Sequence, residues 1–209
     1  MRNLLCLILL LLSSIVSSAQ EIHFYDVHGK KISKEQFEKQ RDSRVNLALS
    51  FQKGKTTETR LFLRSKTGFI SQEVLNKIIS NLQTVTGKSI DRSEMMIINY
   101  HQGKDRCNSS GSGATLEQWK VARAKYRRQL ERLGQGSPYY MYASKEGIRN
   151  SYGFLQWYPD LDFLIEKTFF KYKYPCGSFV IIKPDGEYIA QYGEYSLEQV
   201  IKQAKNLLK

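Results

Sequence analysis

Cysteine is scarce in this chain, with three residues in 209. Cys6 sits in the opening apolar run, and only Cys107 and Cys176 lie in the body of the sequence. Two cysteines are too few for a scaffold built from disulfides, so a hydrophobic core must hold the fold. Histidine is equally sparse, at three residues. His23 and His28 are placed to face opposite sides of a strand, which makes them surface residues and not metal ligands. No metal-ligand cluster, Gly-rich phosphate loop or Ser/His/Asp arrangement stands out, so neither a metal nor a cofactor is expected. Repeats and low-complexity tracts are missing too, and no second domain boundary shows. Beyond the opening run, no apolar stretch approaches the roughly 20 residues that a bilayer-spanning helix needs.

What is present begins with a leader. Arg2, the apolar run Leu4 to Leu12 and the small-residue end Ser17-Ser18-Ala19 have the charged, hydrophobic and cleavage regions of a secretory signal over residues 1–19, with the cut expected before Gln20. Cys6 comes too early in the hydrophobic region to mark a lipid anchor. The protein is therefore expected to be exported, to the periplasm, the cell surface or the medium, with no transmembrane segment after signal cleavage. Its 32 basic and 20 acidic side chains leave a formal net charge of +12, and only Arg2 of these departs with the leader. Such a charge favours anionic partners, whether lipid headgroups, surface polysaccharide or nucleic acid, without choosing among them. The plainer meaning is a solvated, lysine-rich surface. The plentiful aromatic residues fall on strand and helix faces as core and rim, not as a base-stacking platform, so nucleic acid is not expected. The expected partner is an unknown protein or an anionic component of the envelope.

Residues 20–44 read as an N-terminal extension. It holds a short strand at Ile22 to Tyr25, a turn over Val27 to Lys30 and a charged helix starting at Ser33. From Val45 to Phe51 the residues alternate, with Val45, Leu47, Leu49 and Phe51 on one face, and Thr59 to Arg64 pairs back across a polar connection as an extra hairpin. A helix follows from the N-cap Ser71 to Gly87, with Leu75, Ile78, Ile79, Leu82 and Val85 on one side. Met95 to His101 is the near-continuous apolar run of a central strand. After a polar loop, the helix from Thr115 carries Leu116, Trp119, Ala122, Tyr126, Leu130 and Leu133 as its stripe, with Arg127 and Arg128 on a solvated face. Tyr139 to Tyr142 is a strand, and Gly147 to Trp157 reads as loop. Pro159-Asp160 opens a helix bearing Leu161, Leu164, Ile165, Phe169 and Tyr172. Ser178 to Ile182 and Glu187 to Tyr192 form a hairpin around Lys183-Pro184-Asp185-Gly186, and Ser196 with Gln199 caps the last helix.

This order of elements resembles the thioredoxin-like fold over 45–209. The resemblance is most specific in the last third, where a helix leads to Pro175, then a Pro-Asp-Gly hairpin, then a capped amphipathic helix. It implies an α/β, three-layer fold with a mixed central sheet flanked by helices. It also implies that Pro175 matches the family's cis-proline, lying against the loop that carries Cys107. The family's Cys-x-x-Cys reads Cys107-Asn108-Ser109-Ser110 here, so Ser110 stands where the second thiol would be and dithiol exchange through that motif is excluded.

The resemblance therefore leaves two roles for the cysteines. With Lys104 and Arg106 close by and a helix following, Cys107 is placed to be a low-pKa thiol, with His101 as a base and Cys176 as the resolving partner of a thiol–disulfide or peroxide-handling enzyme. Alternatively Cys107 and Cys176 pair as a disulfide that closes the site. Such a bond encloses roughly seventy residues and is worth on the order of 4 kcal/mol by chain entropy. Two inert, half-buried thiols are the third possibility. The leading expectation is a binding or accessory protein without dithiol redox activity whose cleft is lined by Pro175, Ser110, His101 and Arg106. A basic protein that binds anionic lipid or glycan is the remaining alternative. Asn108-Ser109-Ser110 also matches a glycosylation acceptor, meaningful only in a host that modifies exported asparagines.

Overall fold

The structure is a computed structural model that describes residues 21–106, 114–135, 138–148 and 153–209. The leader, Cys107, Asn108 and Ser110 lie outside the described residues. The chain divides into two compact units, one comprising residues up to 41 with 48–61, the other 42–47 with 62–209. Each contains a mixed sheet with at least one helix, so the protein is α/β with two sheets where a single central one was expected.

A sheet of order β2-β1-β4-β3 is formed by β1 (Glu21–Tyr25), β2 (Lys31–Ile32), β3 (Asn46–Lys53) and β4 (Thr56–Leu63), of which all but the first two residues of β3 and the last two of β4 belong to the first unit. The parallel pairing of β1 with β4, from Glu21 opposite Thr56 to Tyr25 opposite Arg60, draws the hairpin to the N-terminal segment. Helix α1 (Lys34–Gln40) starts in a capping box made by Ser33 and Gln36. It buries Phe37 against Phe24, ring centroids 5.0 Å apart. His23 hydrogen-bonds Glu21, and His28 is exposed. Val45 departs from the expected alternation. Its amide bonds back to Asp42 in a turn before the strand begins, which leaves the side chain exposed while Leu47 is buried.

The second unit is built on a six-stranded sheet of order β5-β10-β9-β6-β7-β8, with β5 at Ser65–Phe69, β6 at Met96–His101, β7 at Tyr139–Tyr142, β8 at Trp157–Pro159, β9 at Ser178–Ile182 and β10 at Glu187–Gln191. All six residues of β6 are buried, and it lies between parallel β7 and antiparallel β9, the central place that its apolar run predicts. Helix α2 (Gln72–Thr86) has Ser71 as N-cap and Gly87 as a left-handed C-cap. Helix α3 (Leu116–Glu131) opens in a capping box of Thr115 and Gln118, and α5 (Leu197–Leu207) in one of Ser196 and Gln199. Between them, α4 (Leu164–Phe169) follows a 3-10 turn over Leu161–Phe163.

Alternation along the strands sorts the core into two faces. Ile97, Phe179, Ile181 and Ile189 pack with Tyr126 and Leu130 of α3 and with Val200, Ile201 and Ala204 of α5. On the opposite face Tyr100 stacks on Phe170 at 5.0 Å and Phe169 meets Tyr188 at 5.0 Å. Asn81 of α2 donates to the Leu161 carbonyl on that side. Three sequence expectations change here. Strand β5 lies where no element was expected, and β8 spans the end of the expected loop and the expected start of a helix at Pro159. Of the α3 stripe only Tyr126 and Leu130 are buried, while Leu116 is exposed. Helix α4 stops at Phe169, leaving Tyr172 beyond it.

Candidate functional site

The second unit brings the loop after β6 and the loop before β9 together. The sequence of the first runs Gln102-Gly103-Lys104-Asp105-Arg106, and the second carries Tyr174-Pro175-Cys176-Gly177. Asp105 Oδ2 accepts the Cys176 backbone N–H at 2.8 Å, and Asp105 is two residues before Cys107. Cys176 has a left-handed backbone, φ 69°, rare for a residue with a Cβ, and Gly177 follows at φ 106°. A Cβ at Gly177 would lie 3.1 Å from the Tyr100 carbonyl oxygen, so glycine permits the loop to approach the end of β6.

Gln102, buried at the exit of β6, fixes the other end of the proline loop. Its Nε2 donates to the carbonyls of Phe170 at 3.1 Å and Tyr172 at 2.8 Å, and its Oε1 accepts the Tyr174 N–H at 2.9 Å. The loop also rests on rings. Tyr174 stacks on Tyr192 at 4.5 Å, Tyr192 meets Phe170 edge-on, and Tyr172 packs on Phe62 at 4.7 Å. Burial raises the Tyr174 phenol above its ordinary range and takes Tyr192 up to about 12, so both are neutral hydroxyls at physiological pH.

Beneath these loops lies a polar hub. Tyr100 donates its hydroxyl to Asp160 Oδ2 at 2.7 Å and approaches Glu166 Oε2 at 3.4 Å. Asp160 also accepts the amides of Ile165 and Glu166, both at 3.0 Å, and so caps α4 across the left-handed pair Asp162 and Phe163. Burial, then the bond to Asp160, pushes the Tyr100 phenol far up. Burial also raises Glu166, assisted by the charge of Asp160 and opposed by the hydrogen bond from Tyr100.

Of the residues singled out from the sequence, Pro175 and Cys176 lie in this loop pair, and Arg106 is exposed at the end of the described part of its first loop. Cys176 is a half-cystine, without a titrating thiol. His101 is buried elsewhere in its own setting. Its Nε2 hydrogen-bonds the Glu146 carbonyl at 2.8 Å and its ring meets Trp157 edge-on, a structural tie to the loop after β7. Among the described residues no peptide bond is cis, so the bond before Pro175 is trans, against the cis form that the resemblance implied. The positive φ at Cys176 and Gly177 turns the chain in that place. Asp105, Gln102 and Asp160 were not expected as organisers; the only signal for them was a polar residue within two or three positions of an apolar strand's end, or just before a helix. Among the described residues there is no group of three or more side chains disposed to hold a metal, and no helix long and apolar enough to cross a membrane. No family model, curated protein or solved structure matches the chain.

Proposed function

We propose that the protein is an exported, thioredoxin-like domain without dithiol chemistry, acting as a binding or accessory protein of the envelope or extracellular space. In this reading its cysteine loop and proline loop are tied by a Cys107–Cys176 disulfide. The observation that carries it is the hydrogen bond from the Cys176 amide to Asp105, which holds the two loops in contact two residues from Cys107. The order β6, α3, β7, α4, β9, β10, α5 around one mixed sheet supports the fold reading, and Ser110 in place of a second thiol supports the loss of exchange chemistry. The half-cystine at Cys176 supports the pairing, since after leader removal Cys107 is the single other cysteine of the chain.

Thiol counting tests this directly. The exported protein, denatured and alkylated without reductant, is expected to show no labelled cysteine, and proteolysis is expected to yield a Cys107–Cys176 cross-linked peptide. Treatment with millimolar glutathione under native conditions is expected to leave that bond intact. Two free thiols in the unreduced protein would sink the reading. A bond opened readily by glutathione, with Cys107 then alkylated fast near neutral pH, would replace it by a thiol–disulfide enzyme using Cys107 and Cys176.

A further inference from the structure

The helices on the two faces of the six-stranded sheet differ in charge. Helix α3 carries Lys120, Arg123, Lys125, Arg127 and Arg128 against Glu117 and Glu131, and α5 carries Lys202 and Lys205 against Glu198. On the other face α2 has one lysine and one glutamate, Lys77 and Glu73, paired at 2.7 Å. Helix α4 likewise has one of each, Glu166 and Lys167. The excess of positive charge in the helical layers thus lies with α3 and α5, which pack side by side.

The outward stripe of α3 sharpens this. Val121, Lys125, Arg128 and, just past the helix end, Arg132 recur at helical spacing, and all four are exposed. Lys120 and Arg127 reach carboxylates on their own helix, but among the described residues none lies within ion-pair distance of Lys125, Arg128 or Arg132. Val121, four residues before Lys125 on the same stripe, is 64% exposed, and Leu208 at the end of α5 is 49% exposed. The exposed cations of α3, next to the lysines of α5, present an extended array, suited to an extended anionic surface more than to a single point ligand. Val121 and Leu208 add what a polysaccharide or nucleic acid would leave in water, side chains that gain from an apolar phase.

We propose that the α3/α5 layer is a docking surface for an anionic lipid bilayer. The unpaired cations meet headgroup phosphates, and Val121 and Leu208 enter the headgroup boundary. The cations that the proposal uses lie on and just after α3, and none of these residues belongs to the Cys176 loop pair, so the proposal stands or falls separately from the disulfide reading.

The test is co-sedimentation of the chain from Gln20 onward, lacking the apolar leader, with extruded vesicles of phosphatidylglycerol and phosphatidylcholine in equal parts. Vesicles of phosphatidylcholine alone, heparin and duplex DNA serve as comparators. Binding to the anionic vesicles is expected to weaken steeply with salt. The triple variant Lys125→Glu, Arg128→Glu, Arg132→Glu is expected to bind them at least about 100-fold more weakly, from roughly one unit of headgroup attraction lost per side chain. A charge-matched variant at Lys66, Lys77 and Lys88, away from the layer, is expected to stay within about 3-fold, which is less than one such contact. Val121→Ser is expected to weaken vesicle binding and leave heparin binding unchanged, and circular dichroism checks that each variant is folded. Equal loss in both triple variants would overturn the proposal in favour of net charge alone. Heparin or DNA bound more tightly than anionic vesicles, with no effect of Val121→Ser, would overturn it in favour of a polyanion partner, and equal binding to neutral vesicles would overturn it outright.

Discussion

The two faces of the six-stranded sheet are filled in different ways. Under α3 and α5 the core is mainly apolar, with Ile97, Phe179, Ile181, Val200 and Ala204 fully or nearly fully buried and one buried amide, Asn99, accepting the Tyr195 hydroxyl at 2.8 Å. Under α2 and α4 the same strands meet a hydrogen-bonded hub, where Tyr100 reaches Asp160 and Asp160 holds two amides of α4. The shortness of α4 explains the hub; α2, with 15 residues and four buried apolar side chains, needs none. Helices α3 and α5 span 16 and 11 residues and can seat several apolar side chains. Helix α4 has six residues, fewer than two turns, and buries only Ile165 and Phe169. A helix that short is not held by a stripe alone, so a buried carboxylate supplies the missing anchorage at its N-terminus.

The comparison is broken most severely on the apolar face. Phe179→Ala removes a fully buried ring packed 4.9 Å from that of Tyr195 and is expected to cost about 3–5 kcal/mol in urea unfolding. Asp160→Ala, which strands two amides and leaves the Tyr100 hydroxyl only the longer bond to Glu166, is expected to cost about 1.5–3 kcal/mol. Amide exchange should show the loss concentrated at Ile165 and Glu166. A cost under about 0.5 kcal/mol, the usual range for surface changes, would mean that packing alone holds α4 and that the two faces do not differ in kind.

The smallest effect is on pH dependence. Glu166 faces Tyr100 and Asp160, with Lys173 nearby, and burial raises its carboxyl above the ordinary 4.5. A carboxyl with a higher pKa when folded binds more protons in the native state than in the unfolded one. Its contribution to stability is therefore complete below pH 4.5 and is lost as pH rises through the raised value. Stability measured against pH should accordingly fall for the wild type relative to Glu166→Gln on going upward from that point. Parallel curves for the two proteins would show that Glu166 titrates as a solvated carboxyl.

Legibility in the sequence followed the physics of each element. The central strand β6 was readable because burial on both faces leaves an unbroken apolar run, and α2 and α5 because their caps and stripes agree. Strand β5 was not. It is held by pairing with β10 through the backbone, and its one large apolar residue, Phe69, is 73% exposed. The three residues of β8 are too few to show a period. The α3 stripe ran further in sequence than in packing, because periodicity reports where apolar residues point and not whether anything lies against them. The neighbouring loops of the site were anticipated from element order. The ties between them, Asp105 to Cys176 and Gln102 to the Phe170–Tyr174 segment, were not, because one polar side chain bonded to distant backbone leaves no pattern.

Gln102 also bears on what this loop can become. Each of its three partners is a main-chain atom, of Phe170, Tyr172 or Tyr174, so its grip is blind to the side chains at Lys171 and Lys173, which are exposed. The path of the loop and the chemistry on its surface are thereby uncoupled. Positions 171 and 173 are free to diversify, by mutation or by design, while one glutamine keeps the backbone on its course toward Pro175.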